Sequence, residues 1–266
     1  METLKALTEF YSNYDEEGRL LSKHGSVEFL TTMRYIEKYL HPGMRILEIG
    51  AATGRYSHTL ARMGYRVDAV ELIQHNIDIF KANTQPGEQV TIRQGNAKDL
   101  HFLDDNSYDL VLLLGPMYHL FIVQEQLQAL SEALRVTKPG GVLMTAYCGN
   151  DATMVQYCFG KGMLLAEENR KLIDFTTFKA SSDPAKLFQL YRREDIDELM
   201  AYFKTERLHY VGTDMATNYM RDVIDDMDEA LFRLYLQYHF VICERSDMVG
   251  TSHHILDIHR KLEVNL

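Results

Sequence analysis

The chain has 266 residues and a formal net charge of −10, with 46% hydrophobic and 25% charged residues. This is the composition of an ordinary globular protein, and the length allows one sizeable α/β core. A nucleic-acid enzyme usually needs a basic surface for phosphates, and the densest cationic run here is only Arg192 and Arg193, which disfavours DNA or RNA as a partner.

The chain contains no tract that is apolar over the length needed to cross a bilayer. Residues 1–17 lack the basic start and apolar run of a signal peptide. The three cysteines, Cys148, Cys158 and Cys243, have no CxxC spacing and are expected to be reduced and buried. These features predict a cytoplasmic protein without membrane segments.

The first 148 residues alternate between helix and strand patterns. Residues 2–40 are expected to be helical, with Ser26 as the N-cap of an amphipathic helix. Strands are then predicted at 45–49, 65–70, 90–93, 108–114 and 142–147, and helices at 56–63, 73–83 and 124–136. Five such repeats predict a parallel, doubly wound sheet with right-handed crossovers.

The second half of the chain is less regular. Residues 150–190 are expected to be helical or irregular; helices follow at 193–203 and 222–244, and strands at 206–212 and 254–259. We therefore predict a single domain over residues 1–266, comprising a helical cap at 1–41, a core at 42–148, and insertions with the last strands at 149–266.

The turn after the first predicted strand reads Gly50-Ala51-Ala52-Thr53-Gly54-Arg55. Small residues allow a ligand to approach the backbone, and the next helix offers its free N–H groups at the same place. The dinucleotide spacing G-x-G-x-x-G fails because it requires glycine at position 52 and glycine or alanine at position 55, where the chain has Ala52 and Arg55. An acid at Glu48, just before the turn, instead favours a nucleoside that carries an amino acid.

Two further polar residues follow strands in the order expected of a nucleoside site. Glu71 follows the second predicted strand, where a carboxylate can accept both ribose hydroxyls. Asn96, in Gly95-Asn96-Ala97, comes after the third strand, where its amide can pair with the adenine edge. An Asn in a loop is also a common turn former, so both interpretations stay open here.

At this point the chain resembles the class I S-adenosylmethionine-dependent methyltransferases. The residues that carry the resemblance are Glu48-Ile49-Gly50-Ala51-Ala52-Thr53-Gly54, Glu71, Gly95-Asn96-Ala97 and Lys138-Pro139-Gly140-Gly141. It covers residues 42–148 well and resumes weakly at the last two strands. The resemblance implies a Rossmann-like, mostly parallel seven-stranded sheet whose last strand is antiparallel.

The resemblance also implies S-adenosylmethionine as cofactor and S-adenosylhomocysteine as product. Glu48 would lie near the methionine moiety, Gly50 and Gly54 would line the sulfonium side, Glu71 would hold the ribose and Asn96 would reach the adenine. Further cofactor contacts are expected from Ala51, Tyr56, Leu72, Ala97 and Leu114. The sequence departs from the family pattern at Ala52, where glycine is common, and at Asn96, where aspartate is usual.

The loop after the fourth strand reads Gly115-Pro116-Met117-Tyr118-His119 and lies beside the sulfonium in the family. His119 is our candidate general base and Tyr118 our candidate for orienting the substrate. The alternative for His119 is a packing role. The loop lacks the amine-polarising residue of the Asn/Asp-Pro-Pro-Tyr loop in amino-directed nucleic-acid methyltransferases.

The remaining candidates lie outside the core. Tyr14 and Arg19 fall in an aromatic and polar segment that folds over the cofactor in many small-molecule members of the family; a solvated helix start is the alternative. The insertions at 150–190 and 214–250 are expected to form a lid. They hold Met154, Tyr157, Phe159, Met163, Tyr235, Tyr238 and His239, and such a stripe at helical spacing is more often core than pocket.

We predict no metal site. The acidic cluster of the predicted helix 222–244 points in several directions and is expected to be a solvated face. His253 and His254 lie on a predicted strand, so their rings should point to opposite faces.

Four functions compete at this stage. The first is a methyltransferase for a small-molecule oxygen, nitrogen or sulfur acceptor, working as a monomer or homodimer. The second is a tRNA or protein methyltransferase, and the third is a protein that binds the nucleoside without catalysis. The fourth is a dehydrogenase, which Ala52 and Arg55 disfavour.

Overall fold

The computed structural model describes residues 2–14, 18, 21–182 and 188–263. Within them the helices are α1 Glu2–Asn13, α2 Lys23–Lys38, α3 Arg55–Arg62, α4 Gln74–Asn83, α5 Val123–Val136, α6 Asn150–Thr153, α7 Glu167–Arg170, α8 Arg193–Met200, α9 Arg221–Asp225 and α10 Glu229–Ile242. The strands are β1 Arg45–Ile49, β2 Arg66–Glu71, β3 Val90–Gln94, β4 Tyr108–Leu113, β5 Thr137–Gly149, β6 Ile173–Asp174, β7 Lys179–Ala180, β8 Leu190–Tyr191, β9 Thr205–Gly212 and β10 His254–Lys261.

The main sheet has the strand order β3-β2-β1-β4-β5-β10-β9. Strands β1 to β5 are parallel to one another, and β10 is antiparallel to both of its neighbours. This confirms the predicted α/β fold with an antiparallel last strand. The structure adds an eighth strand, the two-residue β8, which pairs with the end of β5.

The start of β5 and the N-cap of α2 differ from the prediction. Strand β5 begins at Thr137, before the predicted Lys138–Gly141 turn, and its register with β4 shifts there instead of ending. The N-cap of α2 is Ser22, whose Oγ accepts the Gly25 N–H at 3.1 Å, and not Ser26. Ser26 Oγ instead donates to the carbonyl of Lys23.

The predicted long helix 222–244 is two helices, α9 and α10. Asp228 separates them because its carboxylate accepts the N–H groups of Ala230 and Leu231 and caps a new helix. The break resets the helical phase between the two helices. Leu231, Leu234 and Tyr238 are exposed, whereas Ile224 is buried.

Apolar side chains bury both faces of the sheet. On one face α5 and α8 pack over residues such as Leu113 and Tyr147; on the other α2, α3 and α10 pack over residues such as Ile46 and Leu112. Strands covered on both sides read as continuous apolar runs, as β4 does. In the described part of the chain, every helix is too short or too polar to cross a membrane.

A charged network is enclosed between β9, β10 and α8. Asp257, only 1% exposed, accepts Arg207 Nε at 2.7 Å and Nη2 at 3.0 Å, and His259 Nε2 lies 2.9 Å from the same carboxylate. Arg207 also pairs with Asp197 of α8. A buried carboxylate needs such partners, because an unpaired buried charge is costly.

We expect Arg207→Met to destabilise the protein by about 3 kcal/mol, since it leaves Asp257 buried without its cation. The measurement is urea unfolding. Arg260→Met on the neighbouring strand is the control, because it removes an ion pair to Glu206 between two half-exposed side chains and should cost less than about 1 kcal/mol. Equal losses in the two variants would contradict the assigned role of Arg207.

Candidate active site

A cavity of about 900 Å³ opens at the carboxyl ends of the parallel strands. It is lined by the segments that follow β1, β2, β3 and β4, by α1 and α2, and by residues around the end of β9 and the start of β10. This is where an open α/β sheet binds ligands. The volume lies near the upper end of the roughly 300–1,000 Å³ range for small-molecule sites, so two ligands fit side by side.

The turn after β1 has glycine at two positions where the backbone φ angle is positive. Gly50 has φ +78°, and a Cβ there would lie 2.6 Å from Cδ of Pro116. Gly54 has φ +92°, and a Cβ there would overlap the ring of Phe80. Gly50 lines the cavity, but Gly54 is not among the described residues that do, which corrects its expected place beside the ligand. Gly54 is required by the packing beneath the turn.

Ala52 has the left-handed conformation that glycine usually supplies. Its φ is +47°, and its N–H donates to Glu71 Oε2 at 2.9 Å. The turn therefore forms with alanine at position 52, where the family commonly has glycine, but the backbone of this alanine is strained.

Glu48 ends β1 beneath the turn and faces the cavity. Its carboxylate is 2% exposed and accepts the Ser57 N–H at 3.0 Å, together with the Ser57 hydroxyl, so it caps the first turn of α3. Burial raises the pKa of Glu48 to about 8, although the bonds from Ser57 lower it. A neutral acid at pH 7, poised to ionise, suits a cationic ligand group.

Glu71 ends β2 and is held by backbone donors. Oε1 accepts the Ile73 N–H at 2.8 Å and Oε2 accepts the Ala52 N–H. Burial raises its pKa, and these N–H groups oppose that change. Asn76 Nδ2 also donates to Oε1, at 3.4 Å, whereas the second lone pair of Oε2 can still accept a hydroxyl group from the cavity.

Asn96 lines the cavity after β3, and its Oδ1 accepts the Lys98 N–H at 3.0 Å. Asn96 therefore forms a turn, as one interpretation expected, and its side-chain amide nitrogen can still donate a hydrogen bond. The other expected contact residues, Ala51, Tyr56, Leu72, Ala97 and Leu114, also line the cavity.

The loop after β4 forms a short 3-10 helix, Pro116–His119, at the other side of the cavity. His119 Nε2 shares a hydrogen bond of 2.9 Å with the hydroxyl of Tyr11 from α1. Tyr118 is 8% exposed and lies against Ala146 and Cys148 of β5. Both predicted residues thus reach the cavity.

Helix α1 supplies an aromatic wall. Phe10 stacks on Tyr14 at 5.0 Å between ring centroids, and Phe188 lies 5.4 Å from the ring of His119. Tyr14 lines the cavity as expected, whereas Arg19 lies outside the described residues.

The insertions expected to form a lid reach the cavity through residues other than the Met, aromatic and histidine side chains named above. Within the described chain, none of the seven side chains named for it lines the cavity: Met154 is buried against Cys158, and Tyr157 and Phe159 are exposed. The insertions contribute other residues instead, namely Phe188, Asp214, Asn218 and Arg221.

The sequence analysis also missed Glu28 of α2 and His254 of β10, which line the cavity together with Asp214. One ligating atom from each of these three side chains lies within 4.8 Å of the others. His254 therefore has two acidic side chains close to it. We predicted no metal site, but these three side chains are close enough together to hold a cation. The three cysteines are buried thiols, as expected.

We expect Ala52→Gly to stabilise the protein by up to about 1 kcal/mol, because relief of about 1–2 kcal/mol of left-handed strain exceeds the extra entropy of the unfolded glycine chain. Ala51→Gly, next to it and without a positive φ, is the matched control and should destabilise by about 0.5–1 kcal/mol. Urea unfolding measures both. Destabilisation of the same size at both positions would show that Ala52 is not strained.

Comparison with known proteins gives the same assignment from several directions. Residues 47–145 match the model of a methyltransferase domain family. A demethylmenaquinone methyltransferase of Renibacterium salmoninarum is 36% identical over 105 residues, which cover 40% of this chain and 41% of that protein. An S-adenosyl-L-methionine-dependent Diels-Alderase of Talaromyces variabilis is 31% identical, over 38% of this chain and 35% of its own. The alignments thus span less than half the length of these two relatives.

The fold is shared more widely than the sequence. Phosphoethanolamine N-methyltransferase 1 of Haemonchus contortus, in complex with phosphoethanolamine and S-adenosylhomocysteine, superposes with a TM-score of 0.64 at 14% identity; the match covers 99% of this chain and 49% of that one. The domain match and the relatives thus give residues 47–145 as a methyltransferase domain, and the whole chain shares the fold of solved S-adenosylmethionine-dependent methyltransferases, enzymes whose cofactor is S-adenosylmethionine.

Proposed function

We propose that the protein transfers the methyl group of S-adenosylmethionine to a small-molecule acceptor that carries an oxygen, nitrogen or sulfur nucleophile. The observation that carries the proposal is the continuous cavity, which joins the glycine turn and Glu71 on one side to His119 and the aromatic wall on the other. A protein that only bound the nucleoside would need no room beyond the cofactor.

The donor set fits the cofactor. Glu48 would receive the ammonium group, Glu71 the ribose hydroxyls and Asn96 the adenine edge, with Gly50 allowing close approach of the backbone. Ala51, Tyr56, Leu72, Ala97 and Leu114 would supply the surrounding walls. Tyr14 would close the cavity from α1.

When bound, the cofactor supplies a methyl group already activated by its sulfonium. The residues of the chain then have to align the acceptor and keep water out. The ring cluster of Phe10, Tyr11, Tyr14 and Phe188 supports both tasks. Tyr118 would orient the acceptor, and His119, whose ring Tyr11 holds, would take up a proton.

The competing functions have less support. The charge of −10 disfavours tRNA, because binding of a phosphate backbone depends on lysine and arginine. One relative is described as an S-adenosyl-L-methionine-dependent Diels-Alderase, so a reaction other than methyl transfer is the second candidate. The two cases separate in an assay for S-adenosylhomocysteine, which forms only when the methyl group leaves.

We expect S-adenosylmethionine to bind with micromolar affinity and NAD not to bind, as measured by isothermal titration calorimetry. Glu71→Ala should weaken the binding of S-adenosylmethionine at least about tenfold, since hydrogen bonds to a charged group contribute about 1.5–3 kcal/mol each. Asp78→Ala, on the exposed face of α4 and outside the cavity lining, is the control. Binding of NAD alone would overturn the interpretation of the glycine turn.

We also expect cofactor binding to release protons through Glu48. Its pKa of about 8 in the empty cavity means that it is about 90% neutral at pH 7, and the cofactor ammonium favours the ionised form. Affinity should therefore rise with pH, by up to about tenfold per unit below pH 8, and then level off.

Calorimetry in buffers of different ionisation enthalpy measures the number of protons released. Glu48→Gln is the control, because glutamine keeps an oxygen for Ser57 but cannot ionise. Identical proton release from wild type and Glu48→Gln would rule out the proposed linkage.

A further inference from the structure

A buried histidine lies directly beneath the glycine turn. His58 of α3 is 2% exposed, and its N–H donates to the carbonyl of Gly54 at 2.8 Å. A Cβ at Gly54 would lie 2.7 Å from Cδ2 of His58 and closer still to the ring of Phe80. The rings of His58 and Phe80 are themselves in contact, with centroids 4.4 Å apart. The backbone of the turn is therefore packed directly against these two rings.

Both ring nitrogens of His58 have a partner, and both partners are acceptors. Nδ1 lies 2.7 Å from Oε2 of Glu88, in the segment between α4 and β3. Nε2 lies 3.2 Å from the carbonyl oxygen of Phe80 in α4. A carbonyl oxygen has no proton to donate, so the bond at Nε2 requires a proton on that nitrogen. An ionised Glu88 makes the same demand of Nδ1.

Glu88 is ionised in this setting. Its side chain is 3% exposed, and burial raises its pKa. The bonds from Arg62 and the Gln85 N–H, with a smaller contribution from His58, outweigh burial and lower the pKa below its usual range. Arg62 Nε donates to Oε1 at 2.7 Å, and the Gln85 N–H donates to Oε2 at 3.1 Å. The carboxylate therefore presents only acceptor oxygens to His58.

A neutral imidazole does not fit this position. A proton on Nδ1 alone would leave a lone pair of Nε2 facing the carbonyl oxygen of Phe80 at 3.2 Å. A proton on Nε2 alone would leave a lone pair of Nδ1 facing the carboxylate of Glu88 at 2.7 Å. Each contact is repulsive, and the burial of the ring keeps out the water that could relieve it. The ring that satisfies both partners is the imidazolium.

The imidazolium joins three segments that lead to the cofactor side of the cavity. Helix α3 follows the glycine turn, α4 follows the segment after β2, and Glu88 lies just before β3. Phe80, whose carbonyl His58 holds, packs with Ala51, which lines the cavity. Loss of one ring proton would leave either Glu88 or the Phe80 carbonyl without its donor, because a neutral imidazole donates through one nitrogen only.

The charged groups recorded against this ring come from two elements. Glu88 contacts it from the segment before β3, and Arg62 of α3 reaches it through the same carboxylate. From α4 the ring meets the side chain and carbonyl of Phe80, which do not titrate. The charge of His58 therefore depends chiefly on Glu88.

We propose that His58 is a positioning residue for S-adenosylmethionine, which holds the glycine turn in its binding shape only while the ring carries two protons. The inference rests on the proposed role of this turn in cofactor binding. The two bonds of the ring fix its orientation, and the orientation fixes the surface on which Gly54 is packed. His58 is not among the described residues that line the cavity, so it acts through the turn.

The first test is ¹⁵N NMR of histidine-labelled full-length protein at pH 7, in which His58→Gln identifies the His58 signals. We expect both ring nitrogens to carry protons, and these protons to exchange slowly because the side chain is 3% exposed. A single ring proton at pH 7 would overturn the proposal. His58→Asn makes the assignment if His58→Gln does not fold.

The second test links the charge to the cofactor through Glu88→Gln, which keeps an oxygen for Nδ1 but removes the negative charge. The ring should lose one proton at pH 7, and the Kd for S-adenosylmethionine should rise about tenfold. At a lower pH, where NMR shows both ring protons again, the Kd should return to within about twofold of wild type at that pH. Comparison at equal pH cancels the contribution of Glu48, which both proteins share. A side chain that only filled space would show no such recovery.

Arg62→Gln is the matched control, because it removes the other side-chain donor to Glu88 at a position that is 58% exposed and leaves His58 in place. Its ring protons and its Kd should match those of wild type. An equal rise in Kd in both variants would overturn the role of the charge. A Kd in Glu88→Gln that stays high after the ring has regained its proton would do the same.

If Glu88→Gln does not fold, wild type is compared with His58→Gln. Their Kd values should differ at pH 7 and converge at the higher pH where the wild-type ring loses its second proton; a constant ratio would overturn the proposal. Failure of S-adenosylmethionine to bind wild-type protein would instead reject the proposed cofactor site, whatever NMR shows for His58.

Discussion

The contact between the α-carbon of Gly50 and the ring of Pro116 sets the dimensions of the site. A Cβ at position 50 would lie 2.6 Å from the proline, so the turn after β1 and the loop after β4 pack closely against each other. The first loop contains the glycine turn and adjoins Glu48, and the second contains Tyr118 and His119. Cofactor and acceptor groups are therefore held at a fixed separation by the packing of two neighbouring parallel strands, and displacement of one loop would displace the other.

The fold and the cofactor side could be predicted from sequence because their signals are local. Strand, turn and helix follow each other within about thirty residues in each unit, and small residues mark the turn where a ligand approaches the backbone. Glu48 and Glu71 lie at the ends of β1 and β2, and Asn96 lies two residues after β3, so their place at the sheet edge follows from chain order. Gly54 was misplaced for the same reason: its spacing resembles a contact residue, but Phe80 beneath it dictates the glycine.

The part of the cavity around Asp214 could not be predicted because its members are brought together only by the tertiary fold. Glu28, Asp214 and His254 are separated by up to 226 positions along the chain and lie on three different elements or loops. No periodicity relates a residue within α2 to the first residue of β10. The prediction of one helix over residues 222–244 was wrong for a different reason. In the sequence Asp228 is one member of an acidic cluster, and only its hydrogen bonds to Ala230 and Leu231 show that it starts a new helix.

The capping of α3 by Glu48 has a consequence for motion. The carboxylate that faces the cavity is the same group that holds the Ser57 amide and hydroxyl, so the first turn of α3 and the interior of the cavity share one electrostatic partner. When Glu48 is neutral, it accepts weakly from the helix terminus; when it is ionised, it binds that terminus firmly. Fraying of α3 is therefore coupled to the charge inside the cavity. The exchange rate of the Ser57 amide hydrogen then reports on whether the cavity is occupied, although Ser57 is not among the described residues that line it.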